Sequence, residues 1–209
     1  MAIVCKACGA WIVPVIDVNT QTARCPDCNF VEPRRFLPLF VVTGTSGVGK
    51  TAIVPELQQL LPNWDIFETD ILQDSGGDWQ MVKCNWLRIA HNLAQSNRPV
   101  ILCGTIKPDE LDRCETRPFF TTIYYLALHC DETTQAKRLR ARPAWRGWTE
   151  EKIATHQWFA QWFIEHADSC FEPPLTIINT NQAPPREVAQ QICQWAISRW
   201  NREQSRGKI

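Results

Sequence analysis

Residues 36–42, Phe-Leu-Pro-Leu-Phe-Val-Val, form a nearly continuous apolar run with no polar alternation. That pattern predicts a strand covered on both faces, as in a parallel sheet. Shorter segments at 65–68, 99–103, 123–130 and 175–178 read as further strands. Helical periodicity fills the intervals at 50–61, 79–96, 132–142, 150–167 and 185–200. Strands alternating with helices predict a three-layer α/β domain around a mostly parallel five-stranded sheet. Trp158 and Trp162, four residues apart, fall on one helix face and read as packing residues.

The first thirty residues follow another pattern. Cys5, Cys8, Cys25 and Cys28 make two Cys-x2-Cys pairs separated by sixteen residues, enough for an out-and-back hairpin that gathers four thiolates. Gly9 and Asn29, each directly after a pair, supply the backbone freedom of tight knuckles. The intervening run from Trp11 to Val18 reads as strand-forming, with Pro14 better placed at an edge. The segment resembles a zinc ribbon or rubredoxin-like knuckle. Zinc is the expected metal, although four sulfurs also suit iron. A donor set without a water or carboxylate position implies a structural centre, or a surface presented to a partner.

The chain has 209 residues, 44% apolar and 21% charged, which suits one ordinary domain with a small appendage. The expected division is a metal-binding unit at 1–33, a nucleotide-binding domain at 36–200 and a flexible tail at 201–209. Lys+Arg and Asp+Glu both number 22, so no global field draws the chain to nucleic acid or an anionic membrane. No apolar run reaches membrane-spanning length, and a cytoplasmic location is expected. The six cysteines outside the pairs, at 84, 103, 114, 130, 170 and 193, read as core residues of a protein in a reducing compartment.

Gly44-Thr45-Ser46-Gly47-Val48-Gly49-Lys50-Thr51 matches G-x-x-x-x-G-K-[ST] and lies between a buried strand and a helix. Glycines there let backbone N–H groups turn inward around phosphate, and the helix N-terminus adds positive potential. Lys50 reaches the outer phosphates, and the Thr51 hydroxyl is placed for magnesium. The order of pieces over 36–200 resembles the P-loop nucleoside and nucleotide kinase-like superfamily, including small-molecule kinases. That resemblance implies a P-loop NTPase fold that binds ATP and Mg2+.

The resemblance also implies roles at other positions. Asp70, in Glu68-Thr69-Asp70 after the second strand, corresponds to the acid that meets the acceptor, with Glu68 as the alternative. The helix-to-lid segment Arg138-Leu139-Arg140-Ala141-Arg142-Pro143-Ala144-Trp145-Arg146-Gly147 corresponds to arginines that close over the moving phosphoryl group. Arg142 and Arg146 lead, followed by Arg138 and Arg140; the spacing puts Arg138 and Arg142 on one helix face. Asn179 and Thr180 correspond to the loop beside the base. The third strand ends in Cys103-Gly104-Thr105, without the acid of a motor ATPase, and leaves Thr105 and Lys107 as candidate substrate contacts. Residues 75–77 read as a flexible entry to a helix whose Trp79, Lys83, Trp86 and Arg88 wall an acceptor pocket. None of the four histidines has a partner spacing that defines a rival site.

The expected function is therefore ATP-dependent phosphoryl transfer to a hydroxyl or phosphate of a small molecule, with a nucleoside or nucleotide among the candidates. The alternative is an ATPase or nucleotide-controlled module whose ribbon contacts nucleic acid or protein, with Arg24, Arg34 and Arg35 as its small basic feature.

Overall fold

The computed structural model describes residues 2–73 and 77–205. At the N-terminus β1 (Ile3–Val4) pairs with β2 (Trp11–Ile12), and β3 (Val15–Asp17), β4 (Thr22–Arg24) and β5 (Val31–Pro33) form an antiparallel meander. The apolar run from Trp11 is thus two strands rather than one. Pro14 divides it, because proline has no N–H for a ladder. The two cysteine knuckles are alike: Cys5 N–H donates to the Ala10 carbonyl and its own carbonyl accepts from Gly9, as Cys25 does with Phe30 and Asn29. Gly9 and Asn29 carry φ of 73° and 61°, the left-handed region that these two residue types tolerate best.

The chain after β5 is tied down at Arg35. Gln95 accepts the Arg35 N–H and donates to the Arg35 carbonyl, while Phe36 and Leu37 are fully buried. The strand proper starts later than the apolar run suggests, at β6 (Leu39–Thr43). The chain continues through α1 (Lys50–Leu60), β7 (Asp65–Glu68), α2 (Trp79–Ala94), β8 (Val100–Cys103), α3 (Pro108–Asp112) and β9 (Ile123–His129). It ends with α4 (Glu132–Arg140), α5 (Glu150–Glu165), β10 (Thr176–Asn179) and α6 (Pro185–Ser205). The sheet order is β10-β9-β6-β8-β7, and every pairing is parallel.

Alternate residues of the central strand feed two cores, as the period of two requires. Phe40 and Val42 join Ile53 and Leu57 of α1 and Ile192 and Ala196 of α6 on one face. Leu39 and Val41 join Trp86 and Leu87 of α2 and Phe163 of α5 on the other. Register places Val42 beside Cys103, and Cys103 beside Glu68, so the C-terminal ends of β6, β8 and β7 lie abreast. In open α/β sheets that edge carries the ligand site.

Several expectations are corrected. Helix α6 runs to Ser205, and Glu203 is buried, accepting a 2.6 Å hydrogen bond from the Tyr124 hydroxyl. Positions 201–205 are therefore helical, and 206–209 lie outside the described residues, as do Ser75 and Gly76 of the anticipated flexible entry. Cys84 and Cys114, read as separate core thiols, form a disulfide that links α2 to the segment after α3. Trp162 packs against Phe159, Phe163 and Phe171, but Trp158 is exposed. Among the described residues no helix is long and apolar enough to cross a membrane.

Candidate functional site

The loop from Gly44 to Thr51 joins β6 to α1, and glycine is required at two of its positions for steric reasons. At Gly44, φ is 127° and a Cβ would lie 2.6 Å from the Leu128 carbonyl oxygen; at Gly47, φ is 89° and a Cβ would meet Leu139 and Gln135. The loop is held from three sides. Gln135 of α4 donates to the Thr45 hydroxyl and the Ser46 carbonyl, each at 2.8 Å. Arg138 donates to the Gly47 carbonyl at 3.4 Å and to the Thr180 hydroxyl and carbonyl at 3.1 and 2.6 Å. Thr180 donates in turn to the Val48 carbonyl, and Thr105 donates to the Gly44 carbonyl at 2.9 Å. Gln135 escaped sequence reading because it belongs to no motif; its signal is only that it sits three residues before Arg138, on the same helix face.

Lys50 opens α1 and folds back on the loop, donating to the carbonyls of Gly44 and Thr45 at 2.7 and 2.9 Å. Its side chain reaches the surface in part, but the ammonium is enclosed, and loss of hydration pushes its pKa down to about 8. The charges of Asp70 and Glu68 act against that fall, and Arg142 adds to it. Next to it, Thr51 donates its hydroxyl to the Glu68 carboxylate. Cys103, at the end of β8, is buried as a neutral thiol whose pKa burial pushes up to about 12.

Asp70 stands in a short 3-10 turn, Thr69–Leu72, directly after β7. Two contacts fix that turn. The Trp86 indole N–H donates to the Thr69 carbonyl at 2.9 Å, and Gly104 packs so closely that a Cβ there would lie 1.9 Å from Thr69 Oγ1. Glycine after β8 therefore lets the turn carrying Asp70 sit against the neighbouring strand end.

These groups line one open cavity of about 980 Å³. The loop forms its floor, and Glu68, Asp70, Thr105, Arg138, Arg142, Arg146 and Thr180 all border it. Helix α4 stops at Arg140, so Arg142 lies beyond it and does not share its face with Arg138. The following Pro143 disfavours helix at the residue before it. Arg142 nevertheless reaches the cavity, its guanidinium 5.4 Å from the Trp148 ring, and Arg146 lies 4.7 Å over Trp145.

Other candidates point elsewhere. Arg140 is bound to Glu150 at 2.8 and 2.6 Å on the exposed surface. Lys107 lies 3.4 Å from Asp109 and over Trp162, and Asn179 caps its own turn by accepting from the Asn181 N–H. Of the four α2 residues expected in the wall, only Trp79 borders the cavity. Lys83 pairs with Glu110, Trp86 is buried, and Arg88 is exposed beside Asn85.

The four knuckle cysteines form a separate cluster, all sulfurs within 4.8 Å of one another. Cys5 and Cys28 sulfurs are 3.7 Å apart, and those of Cys8 and Cys25 are 3.9 Å apart. A tetrahedral ion with metal–sulfur bonds of about 2.3 Å demands sulfur separations of about 3.8 Å, so the donor set fits such an ion.

A parallel five-stranded sheet with a phosphate loop after its central strand and an acid after the edge strand is the fold seen in P-loop kinases. No known family model matches the chain, and no curated protein matches it. Among solved structures it is similar to a candidate kinase of Chloroflexus aurantiacus, with a TM-score of 0.56 and 17% identity over 78% of this chain and 98% of that one. It is also similar to a sugar kinase of Janibacter sp., with a TM-score of 0.50 and 17% identity over 78% of this chain and 95% of that one. At such identities the likeness is one of fold.

Proposed function

We propose that this protein is an ATP-dependent phosphotransferase acting on a hydroxyl or phosphate of a small molecule. The observation that carries the reading is the pair of carboxylates opposite an intact phosphate loop: Glu68 bonded to Thr51, and Asp70 beyond it in the same cavity. The inward N–H groups of residues 44–51 hold the phosphates, and Lys50 exchanges its loop carbonyls for phosphate oxygens. Thr51 and Glu68 offer the hard oxygen donors that suit magnesium, which when bound neutralises charge on the phosphates. Asp70 orients the acceptor hydroxyl and takes its proton as the new oxygen–phosphorus bond forms and ADP leaves. Arg142 and Arg146 meet the charge that moves toward the acceptor. The cysteine cluster holds one structural zinc ion and replaces a core too small to fold alone.

Acceptor-dependent ADP release, measured beside ATP titrations with and without magnesium, tests this division of labour. Asp70→Asn is expected to keep Mg-ATP affinity and lose turnover by about 100-fold or more, the range of a positioned acid-base group. Glu68→Gln is expected to lose the magnesium dependence of ATP binding. ADP release that no acceptor stimulates in the wild-type protein would replace the phosphotransferase by an ATPase.

A further inference from the structure

We infer that the acceptor is an uncharged, hydroxyl-bearing molecule with a planar or apolar body, seated beside Asp70 against Ile71 and Trp79 in the cavity that Trp145 also borders. The inference rests on the phosphotransferase reading and names the substrate class of that site.

Charge points to it first. The described charged side chains that border the cavity are Lys50, Arg138, Arg142 and Arg146 against Glu68 and Asp70, a surplus of two positive charges. A magnesium-bound nucleoside triphosphate carries about two negative charges net near neutral pH, so the nucleotide alone balances the surplus. The cations are also placed for it. Lys50 and Arg138 are bonded to the carbonyls of the phosphate loop, and Arg142 lies in the field of Glu68, Asp70 and Lys50. An anionic acceptor would bring uncompensated charge next to the Asp70 carboxylate.

Apolar exposure points the same way. Ile71 is 66% exposed, Trp79 46% and Trp145 77%, and all three border this one cavity. Single exposed apolar residues are ordinary, but three facing one concavity next to a catalytic carboxylate mark a binding wall. Ile71 follows Asp70 in the same 3-10 turn, and Trp79 opens the helix that Trp86 ties to that turn. Ile71 and Trp79 therefore belong to the Asp70 end of the cavity, while Trp145 borders it from the turn after α4, with the Arg146 guanidinium 4.7 Å over its ring. Flat indole faces recognise a planar ring or the apolar face of a saturated one.

The test compares probes of matched hydroxyl chemistry as acceptors for wild-type protein with Mg-ATP. 4-Nitrophenyl β-glucoside, adenosine and cytidine form the uncharged planar set; glucose is the polar control; gluconate and glucose 6-phosphate are the anionic set. The planar set is expected to exceed both others in kcat/KM by about tenfold or more, the effect of one aromatic anchor. Trp79→Ala should raise KM for the best planar probe about tenfold at unchanged ATP affinity, and Trp79→Phe should restore most of it. Preference for glucose or an anionic probe overturns the inference while the phosphotransferase reading stands, as does a Trp79→Ala KM equal to wild type. Absence of stimulation by every probe overturns the inference, and the phosphotransferase reading falls with it only if no acceptor of any class stimulates ADP release. The probe comparison needs only the wild-type chain, so it decides even if the alanine variant does not fold.

Discussion

Lys50 makes nucleotide binding a proton-coupled event with a predictable size. In the nucleotide-free protein its pKa lies at about 8 because burial strips hydration from the ammonium, with the charges of Asp70 and Glu68 pulling up and Arg142 pushing down. A pKa of about 8 leaves roughly one quarter of the lysine protonated at pH ~8.5. Phosphate oxygens against the ammonium raise the pKa well above that pH, so binding takes up about three quarters of a proton at pH ~8.5 and only about a tenth at pH ~7. The complex binds more protons than the free protein, so affinity falls with rising pH, by about tenfold per unit above about 8. Calorimetry with magnesium and a non-hydrolysable ATP analogue, in two buffers of different ionisation enthalpy, reads the proton count directly. Lys50→Arg keeps a charge that does not titrate in this range, so its uptake should vanish and its affinity stay flat with pH. Equal uptake in both proteins, or wild-type affinity constant from pH ~7 to ~9.5, would refute the assignment of the depressed pKa to Lys50.

Two further predictions concern structure. Protein expressed without added metal should carry about one equivalent of zinc, and Cys25→Ser with Cys28→Ser should lose it; retention of the metal in that double variant removes the four-sulfur assignment. Gly104→Ala should destabilise the fold by about 1–3 kcal/mol, since its Cβ would sit 1.9 Å from Thr69 Oγ1. Adding Thr69→Ala should recover part of that loss, and additive melting shifts in the double variant would show that the two positions do not meet.

The parallel sheet was legible because its central strands, buried on both faces, read as apolar runs, and each of the five candidate segments holds a strand, Asp65–Glu68 with only Ile66 and Phe67 apolar. Ends were less legible. The first strand begins at Leu39, after Pro38, and α3 spans five residues, too few for any helical period to register. The phosphate loop was readable as a contiguous motif, whereas the Thr51–Glu68 and Gln135–Thr45 contacts join residues 17 and 90 positions apart. The Cys84–Cys114 bond spans 30 positions with no motif spacing. The departure of Arg142 from the helix did have a signal, since it precedes proline. Glu203 had none: its burial depends on Tyr124, on the far side of the chain.

The missing acid of the third strand has a structural answer in the register of the sheet. Cys103 ends β8 where a motor ATPase carries its metal-binding carboxylate, and a neutral buried thiol supplies no charge there. Glu68 is the register partner of Cys103 on the neighbouring strand β7, and it is Glu68 that accepts from the Thr51 hydroxyl. The carboxylate that accompanies the phosphate loop has thus moved one strand outward, at the same level along the sheet. That displacement puts it two residues from Asp70, so both acids leave the sheet on one strand end and one turn. Under the proposed phosphotransferase reading, that one strand end and turn carry both the magnesium-side acid, Glu68, and the acceptor-side acid, Asp70.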